Sequence, residues 1–199
     1  MAASRYIGTI TRLQVQSASL MEERPDGRWF NPEPLRACDW LELTADGATG
    51  PDPAGKRLND IHNRSHPQTR YRDGNALSVG FTSHHTRIET HFGRELPPTA
   101  AGENIIVECD EAIEPQLVAG GLCIESAQGW VTLDHVVPAP PCLPFVRYLI
   151  GRPDLPALEA SAALQFLDQG MRGFYAALQL ATREVIKVGD QVWTLATAP

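Results

Sequence analysis

The sequence predicts a mainly β domain, a small strand-rich barrel or folded sheet with a few peripheral helices. Two observations point there. Sixteen prolines and sixteen glycines among 199 residues are high for a helical bundle, and between them lie many short apolar runs joined by turn residues. With 43% hydrophobic and 21% charged residues the chain can bury enough apolar surface for one good core, so a single domain over residues 1–199 is expected, its core between about 6 and 195.

The elements follow in order. YIGTITRLQV (6–15) places Ile7, Leu13 and Val15 in one period-two register, a strand pattern that opens the domain. A loop over 21–36 carries a turn at Pro25-Asp26-Gly27, and CDWLELT (38–44) alternates Leu41 and Leu43 against polar neighbours as a second strand. Residues 45–76 are nearly all polar, Gly or Pro, which predicts an irregular segment, either a binding loop or poorly ordered. ALSVGF (76–81) resumes strand character, and Ser83 is placed to cap a short helix, HHTRIETHF, that stops at Gly93. NIIVE (104–108), LCIE (122–125) and WVTLDHVV (130–137) read as three further strands. Pro156 suits the first turn of a helix in which Leu158, Ala162 and Phe166 recur every four residues, with Gly170 as its end. GFYAALQL, EVIKV and QVWTLA close the chain as strands, with Gly189-Asp190 as the last turn.

Charge and cysteine usage exclude several function classes. Seventeen basic against twenty-four acidic residues give a formal charge of −7, which would repel a phosphate backbone, so no nucleic-acid partner is expected. The sequence has no apolar leader and no run of eighteen apolar residues, so the expectation is a cytoplasmic protein without membrane association. Cys38, Cys109, Cys123 and Cys142 are far apart and form no C-x-x-C pair, which argues against a disulfide framework.

Of the four, Cys142 stands apart. Pro138, Pro140, Pro141 and Pro144 stiffen the chain on both sides of it, and the apolar residues that follow look like a helix start. A thiol there is favoured as thiolate by the helix dipole, with Arg147 about one turn on, but free cysteine is more often a small buried hydrophobe. His84 and His91 share a helix face, which raises a metal site as a weaker possibility; His62 and His66 lie in a segment unsuited to a helix, and neither pair has a recognised zinc spacing. In AAGENIIVE (100–108), Glu103 and Asn104 enter a strand after a glycine, where they can either fix the loop backbone or face a pocket. GMRGFYA (170–176) sets Arg172 between glycines, which suits an anion. Arg64, Arg70 and Arg72 make a local positive patch in DIHNRSHPQTRYRDGN (60–75), and a solvated loop is the alternative.

Taken in order, four stretches resemble the MOSC domain family, named for the C-terminal domain of molybdenum cofactor sulfurases, and especially its small standalone bacterial members. They are YIGTITRLQV, AAGENIIVE, the lone cysteine of VVPAPPC, and GMRGFYAALQLATREVIKVGDQVWTL. The resemblance covers residues 6–195 and implies a barrel-like fold. It also implies that Cys142 carries sulfur as a persulfide or ligates molybdenum through its thiolate, with the cofactor's pterin chemistry, such as reduction of N-hydroxylated compounds, as the activity. By the same resemblance Glu103 and Asn104 match the GEN signature of the cleft, and Arg172, Gly173 and Tyr175 match a glycine-rich C-terminal motif. Asp60 and His62 match an Asp-x-His segment whose usual glycines are replaced here by NRSHPQTR, so any phosphate contact falls to Arg64, Arg70 or Arg72. The expected ligand is a small molecule or a molybdenum cofactor, the expected partners a sulfur donor or redox protein. The alternatives are a non-catalytic module that binds a small anion or partner peptide around an inert Cys142, and a metal-dependent hydrolase built on His84 and His91.

Overall fold

The computed structural model describes residues 3–25, 27–97 and 100–195, with the side chains of Ala3 and Ser4 left aside. The Pro25-Asp26-Gly27 turn therefore falls partly outside the described residues. In chain order the elements are β1 (Ala3–Gln16), β2 (Met21–Arg24), β3 (Gly27–Phe30), β4 (Leu35–Cys38), β5 (Trp40–Thr44), β6 (Gly47–Pro51), β7 (Arg57–Asn59), β8 (Leu77–Phe81) and α1 (Thr82–Phe92). They continue with β9 (Ile105–Glu108), α2 (Pro115–Val118), β10 (Leu122–Ser126), β11 (Gly129–Pro138), α3 (Leu143–Ile150), α4 (Ala157–Leu167), β12 (Phe174–Ala177), β13 (Glu184–Lys187) and β14 (Gln191–Leu195).

Seven strands close into a barrel in the order β14-β10-β11-β12-β8-β9-β1, because β1 pairs with both β9 and β14. The period-two pattern of the strands explains the closure: Leu13, Val15, Leu77, Val79, Ile105, Val107, Leu122, Ile124, Leu133 and Phe174 all point into one interior and are buried. The β8–β9 pair is parallel, and its crossover is α1, since parallel neighbours need a connection long enough to return the chain to the same end. β4 extends the sheet from β1. A second core lies outside the barrel, where α1, α3, α4 and the β2–β3 hairpin bury Leu20, Phe30, Ile88, Phe145, Val146, Leu149 and Leu167. Among the described residues no helix is long and apolar enough to cross a membrane.

Five expectations need correction. The stretch 21–36 is not a loop throughout, for it holds the paired strands β2 and β3 and the start of β4. The segment 45–76 is not irregular throughout, for β6 and β7 join β5 and β13 in a four-stranded sheet. GATGP forms a strand through pairing with β5 and burial of Ala48 rather than through β-branched residues, so composition hides it. CDWLELT is two strands, split at Asp39, where β4 stays on the barrel and β5 leaves for the second sheet. Ser83 lies inside α1 rather than capping it: Phe81 is the cap residue, and the Ser83 hydroxyl donates to the Glu111 carbonyl at 2.8 Å. On α4, Leu158 is 84% exposed and Ala162 is exposed, while Ala163 and Leu167 are buried. The helix rests its Ala163–Leu167 face on the second core, one residue round from the predicted stripe, and it ends at Leu167 ahead of Gly170.

Candidate functional site

A cavity of about 150 Å³ lies at the seam between the two cores. Phe174 of the barrel lines it from one side, Leu20, Met21 and Phe30 from the other, and Gln16, Ser78, His62, Arg70, Glu103, Arg172 and Tyr175 supply its polar wall. The hairpin therefore acts as an apolar cover over a polar floor.

Glu103 is 3% exposed. It fits because β8 and the chain before β12 both present glycine: a Cβ at Gly80 would fall 2.8 Å from Glu103 Oε1, and one at Gly173 would fall 3.4 Å from its Cγ. Gly173 also has φ of +112°, with Val79 O only 2.9 Å from where a Cβ would sit, so the backbone approaches as closely as it can. His85 of α1 meets Glu103, its Nε2 3.0 Å from Oε1. The second oxygen, Oε2, is buried with no partner among the described residues.

The two histidines at the start of α1 behave oppositely. Burial lowers His84 to about 4, and its Nε2 accepts the Ile113 N–H at 2.9 Å, so the ring is neutral. Burial also pulls on His85, but the charge of Glu103 and the bond to it outweigh burial and leave that ring raised. Sequence reasoning weighed His84 with His91 and missed His85. The signal was the His-His pair itself, because neighbours on a helix point about 100° apart and one buried ring sends the other toward a different wall.

The metal pairing of His84 and His91 does not assemble. His84 faces Phe81 and Phe174, and His91 stacks on Phe166 with centroids 3.7 Å apart. Among the described residues no group of three or more His, Cys, Asp or Glu is arranged to hold a metal ion.

Asn104 turns away from the cavity into a buried network. Its Oδ1 accepts from the Ser78 N–H and hydroxyl, both at 3.0 Å, and its Nδ2 donates to Gln14 O at 3.2 Å and Asp60 Oδ2 at 2.7 Å. Asp60, fully buried, also accepts the backbone N–H groups of Gln16 at 2.7 Å and His62 at 2.9 Å, and its Oδ1 is 3.0 Å from His62 Nδ1. The Asp-x-His segment thus fixes the ring of His62 at the cavity wall. Of the loop arginines, Arg70 lines the cavity. Arg64 instead meets Asp46 at 3.7 Å and Asp73 at 3.2 Å and stacks over Tyr71, and Arg72 is not among the lining residues.

Arg172 donates to the carbonyls of Pro140 and Ala101, both at 3.3 Å, and lies over the Phe145 ring. Burial pulls its guanidinium down, but Tyr175, Cys142 and Glu103 around it leave it raised, so it stays a cation. Its Nε is buried without a partner among the described residues. Cys142 is the cap residue of α3, in extended conformation at φ −135° and ψ 145°, partly buried against the second core and within electrostatic reach of Arg172. It does not itself line the cavity, although Ala139, three residues earlier, does. Arg147 is carried along α3 to the hairpin turn at Gly27 and does not reach the cavity. The other cysteines differ: burial, with Asp39 and Asp60 nearby, pushes Cys38 up to about 12, and burial raises Cys109 and Cys123.

A family model described as MOSC domain matches residues 66–193. Two solved structures share the fold. YuaD protein from Bacillus subtilis is 16% identical with a TM-score of 0.58, over 96% of this chain and 97% of that one. YiiM from Geobacillus stearothermophilus is 14% identical with a TM-score of 0.52, over 94% of this chain and 75% of that one. No curated protein sequence matches this chain.

Proposed function

Because the chain belongs to the MOSC domain family, which is associated with the molybdenum cofactor, we propose that it handles that cofactor, or sulfur destined for it, through the thiol of Cys142. The observation that supports this most is that Cys142 lies within electrostatic reach of Arg172, which lines the cavity. The sulfur of a cysteine at the start of α3 is a soft ligand suited to molybdenum, and equally a nucleophile suited to sulfur.

The residues fit the group. Buried Arg172 Nε and Glu103 Oε2 are a donor and an acceptor without partners among the described residues, and Arg70 and His62 add cationic and hydrogen-bonding capacity at the cavity wall. In this reading Cys142 holds the metal or the carried sulfur, Arg172 and Arg70 hold anionic oxygens, and Tyr175 and Glu103 orient what enters. Gly173 lets the backbone come close to it, and Phe30, Leu20 and Met21 keep water out. Asn104 serves through its network, which holds Asp60 and His62 in place. When bound, the cofactor supplies the redox chemistry, such as reduction of N-hydroxylated compounds, with electrons from a partner protein. As a sulfur carrier, the Cys142 thiolate attacks the outer sulfur of a donor protein's persulfide; a new S–S bond forms at Cys142 and the donor cysteine leaves as thiolate.

A second reading follows from the position of Cys142 against the second core and outside the cavity lining: a module that binds a small anion at Arg70 and Arg172, with Cys142 as packing. Elemental and pterin analysis of protein expressed where molybdenum cofactor is made separates the two. Molybdenum and pterin that co-purify and disappear in Cys142→Ala support the first. Full metal and pterin content in Cys142→Ala sinks it, and their absence from both proteins, with no sulfane sulfur on Cys142, leaves the binding module.

A further inference from the structure

We propose that the outer wall of the barrel, where the rings of Tyr6, Trp193 and Trp130 meet, docks a basic segment of another protein, with an arginine or lysine placed over Trp130 and against Glu125. None of these four residues lines the cavity, so the proposal goes beyond the cofactor reading and stands whether or not Cys142 is reactive.

Strand register builds the surface. Leu122, Ile124, Val131 and Val192 face the interior and are buried, which turns Glu125, Trp130 and Trp193 outward. Tyr6 lies opposite Trp193 across β1 and β14, and their rings meet edge to face with centroids 5.2 Å apart. Trp130 adds a third ring, 6.3 Å from Trp193. A cross-strand aromatic pair is accounted for by the stability of the sheet. Trp130 is not, for it stands outside that row and is 53% exposed, with Tyr6 at 46%. Apolar side chains scattered singly on a surface are ordinary; three contiguous rings open to solvent mark an interaction surface, and Trp and Tyr are the residues that anchor one. The mount is rigid. Trp130 follows the β10–β11 turn, in which the Ser126 hydroxyl donates to Gly129 O at 2.9 Å and accepts the Gln128 N–H at 3.2 Å, so the ring is presented at little ordering cost.

Charge selects the occupant. Glu125 lies directly opposite Trp130 on the same face, where Cβ atoms are about 5 Å apart. It is exposed and has no ion-pair partner among the described residues. Tyr6 also borders a recess lined by Asp110 and Glu111, and the one cation there, Arg5, is tied to Glu111 at 2.6 Å. Trp29, Tyr71, Phe145 and Tyr148 each carry an arginine over the ring, whereas Trp130 carries none among the described residues. A cation brought by a partner gains the Trp130 ring and the Glu125 carboxylate together. A second copy of this chain, with its formal charge of −7, would set Glu125 and Asp110 against their own kind. A neutral sugar would use the rings and leave the charge of Glu125 idle.

The test titrates the whole isotope-labelled chain with the capped peptide Gly-Arg-Gly-Arg-Gly, with the same peptide carrying citrulline for arginine, and with cellotriose. Nuclear magnetic resonance follows the indole signals, and Trp130→Phe identifies that of Trp130. The arginine peptide should move the Trp130 signal and bind about threefold or more tightly than the neutral citrulline peptide. Added salt should weaken it, and Glu125→Gln, which keeps the shape of the surface, should remove about half of the preference. Equal binding of the two peptides, a preference that Glu125→Gln leaves intact, or no shift at millimolar peptide overturns the proposal. A Trp130 signal moved by cellotriose and not by the arginine peptide overturns it in favour of a sugar platform. One that moves with protein concentration alone, with a doubled mass in sedimentation, overturns it in favour of a second copy.

Discussion

Glu103 and Asn104 are neighbours at one corner of the barrel and face two different regions. On the Asn104 side the side-chain amide is saturated, with bonds to Ser78, Gln14 and Asp60. Asp60 in turn is filled by Gln16, Asn104 and His62. On the Glu103 side one carboxylate oxygen has His85 and the other has no partner among the described residues. The histidines of α1 divide in the same way, His84 lowered by burial against Phe81 and Phe174 and His85 raised beside Glu103. Saturated polar groups hold strands together, and unsaturated ones at a cavity wait for a ligand. One residue of chain separates the two roles.

That contrast predicts unequal costs. Asn104→Ala strips four hydrogen bonds and leaves the Asp60 carboxylate buried and short of a donor, so it should cost about 3–5 kcal/mol, read as a fall in the urea midpoint at unchanged slope. A loss below about 1 kcal/mol would mean that the network is dispensable. Acid acts next on the barrel side. His84 has a folded value of about 4 against 6.5 when unfolded, so its contribution is complete above pH 6.5 and lost as pH falls through that window. About 3 kcal/mol should vanish between pH 6.5 and 4, and His84→Gln should flatten the slope.

The strands β1 of the barrel and β5 of the second sheet were legible because Ile7, Leu13 and Val15, and Leu41 and Leu43, alternate in sequence and are buried. Glu42 between them was not, for its burial depends on Arg57 and Arg183, which arrive from β7 and from beside β13. In the site, Glu103 and Arg172 could be singled out because each carries its own glycine-flanked signature. The cavity's other wall could not: Leu20, Met21 and Phe30 come from a hairpin that reads as loop, and only packing against α3 shows their place. Leu158 shows the reverse error, an apolar period that the tertiary contacts ignore.

Smaller effects belong to the cavity side. Glu103→Gln should cost only about 1–2 kcal/mol, since it removes one charged partner and no saturated network. It should also change the pH profile. His85 is raised in the fold, so the pair stabilises below the unfolded histidine value and that share fades as pH rises through the folded one; in Glu103→Gln burial is left in control and the dependence should reverse in sign, as nuclear magnetic resonance titration of His85 would register. Arg70→Ala should leave stability within about 0.5 kcal/mol while it lowers the molybdenum and pterin content of protein expressed where molybdenum cofactor is made, which elemental and pterin analysis reads directly.

The central claim concerns the sulfur at the start of α3. Brief alkylation by iodoacetamide at neutral pH, followed by peptide mass spectrometry of all four cysteines, tests it most directly. Cys142, beside Arg172, should be modified first and well ahead of Cys38, Cys109 and Cys123, whose thiols burial raises. A Cys142 that reacts no faster than Cys109 would contradict it.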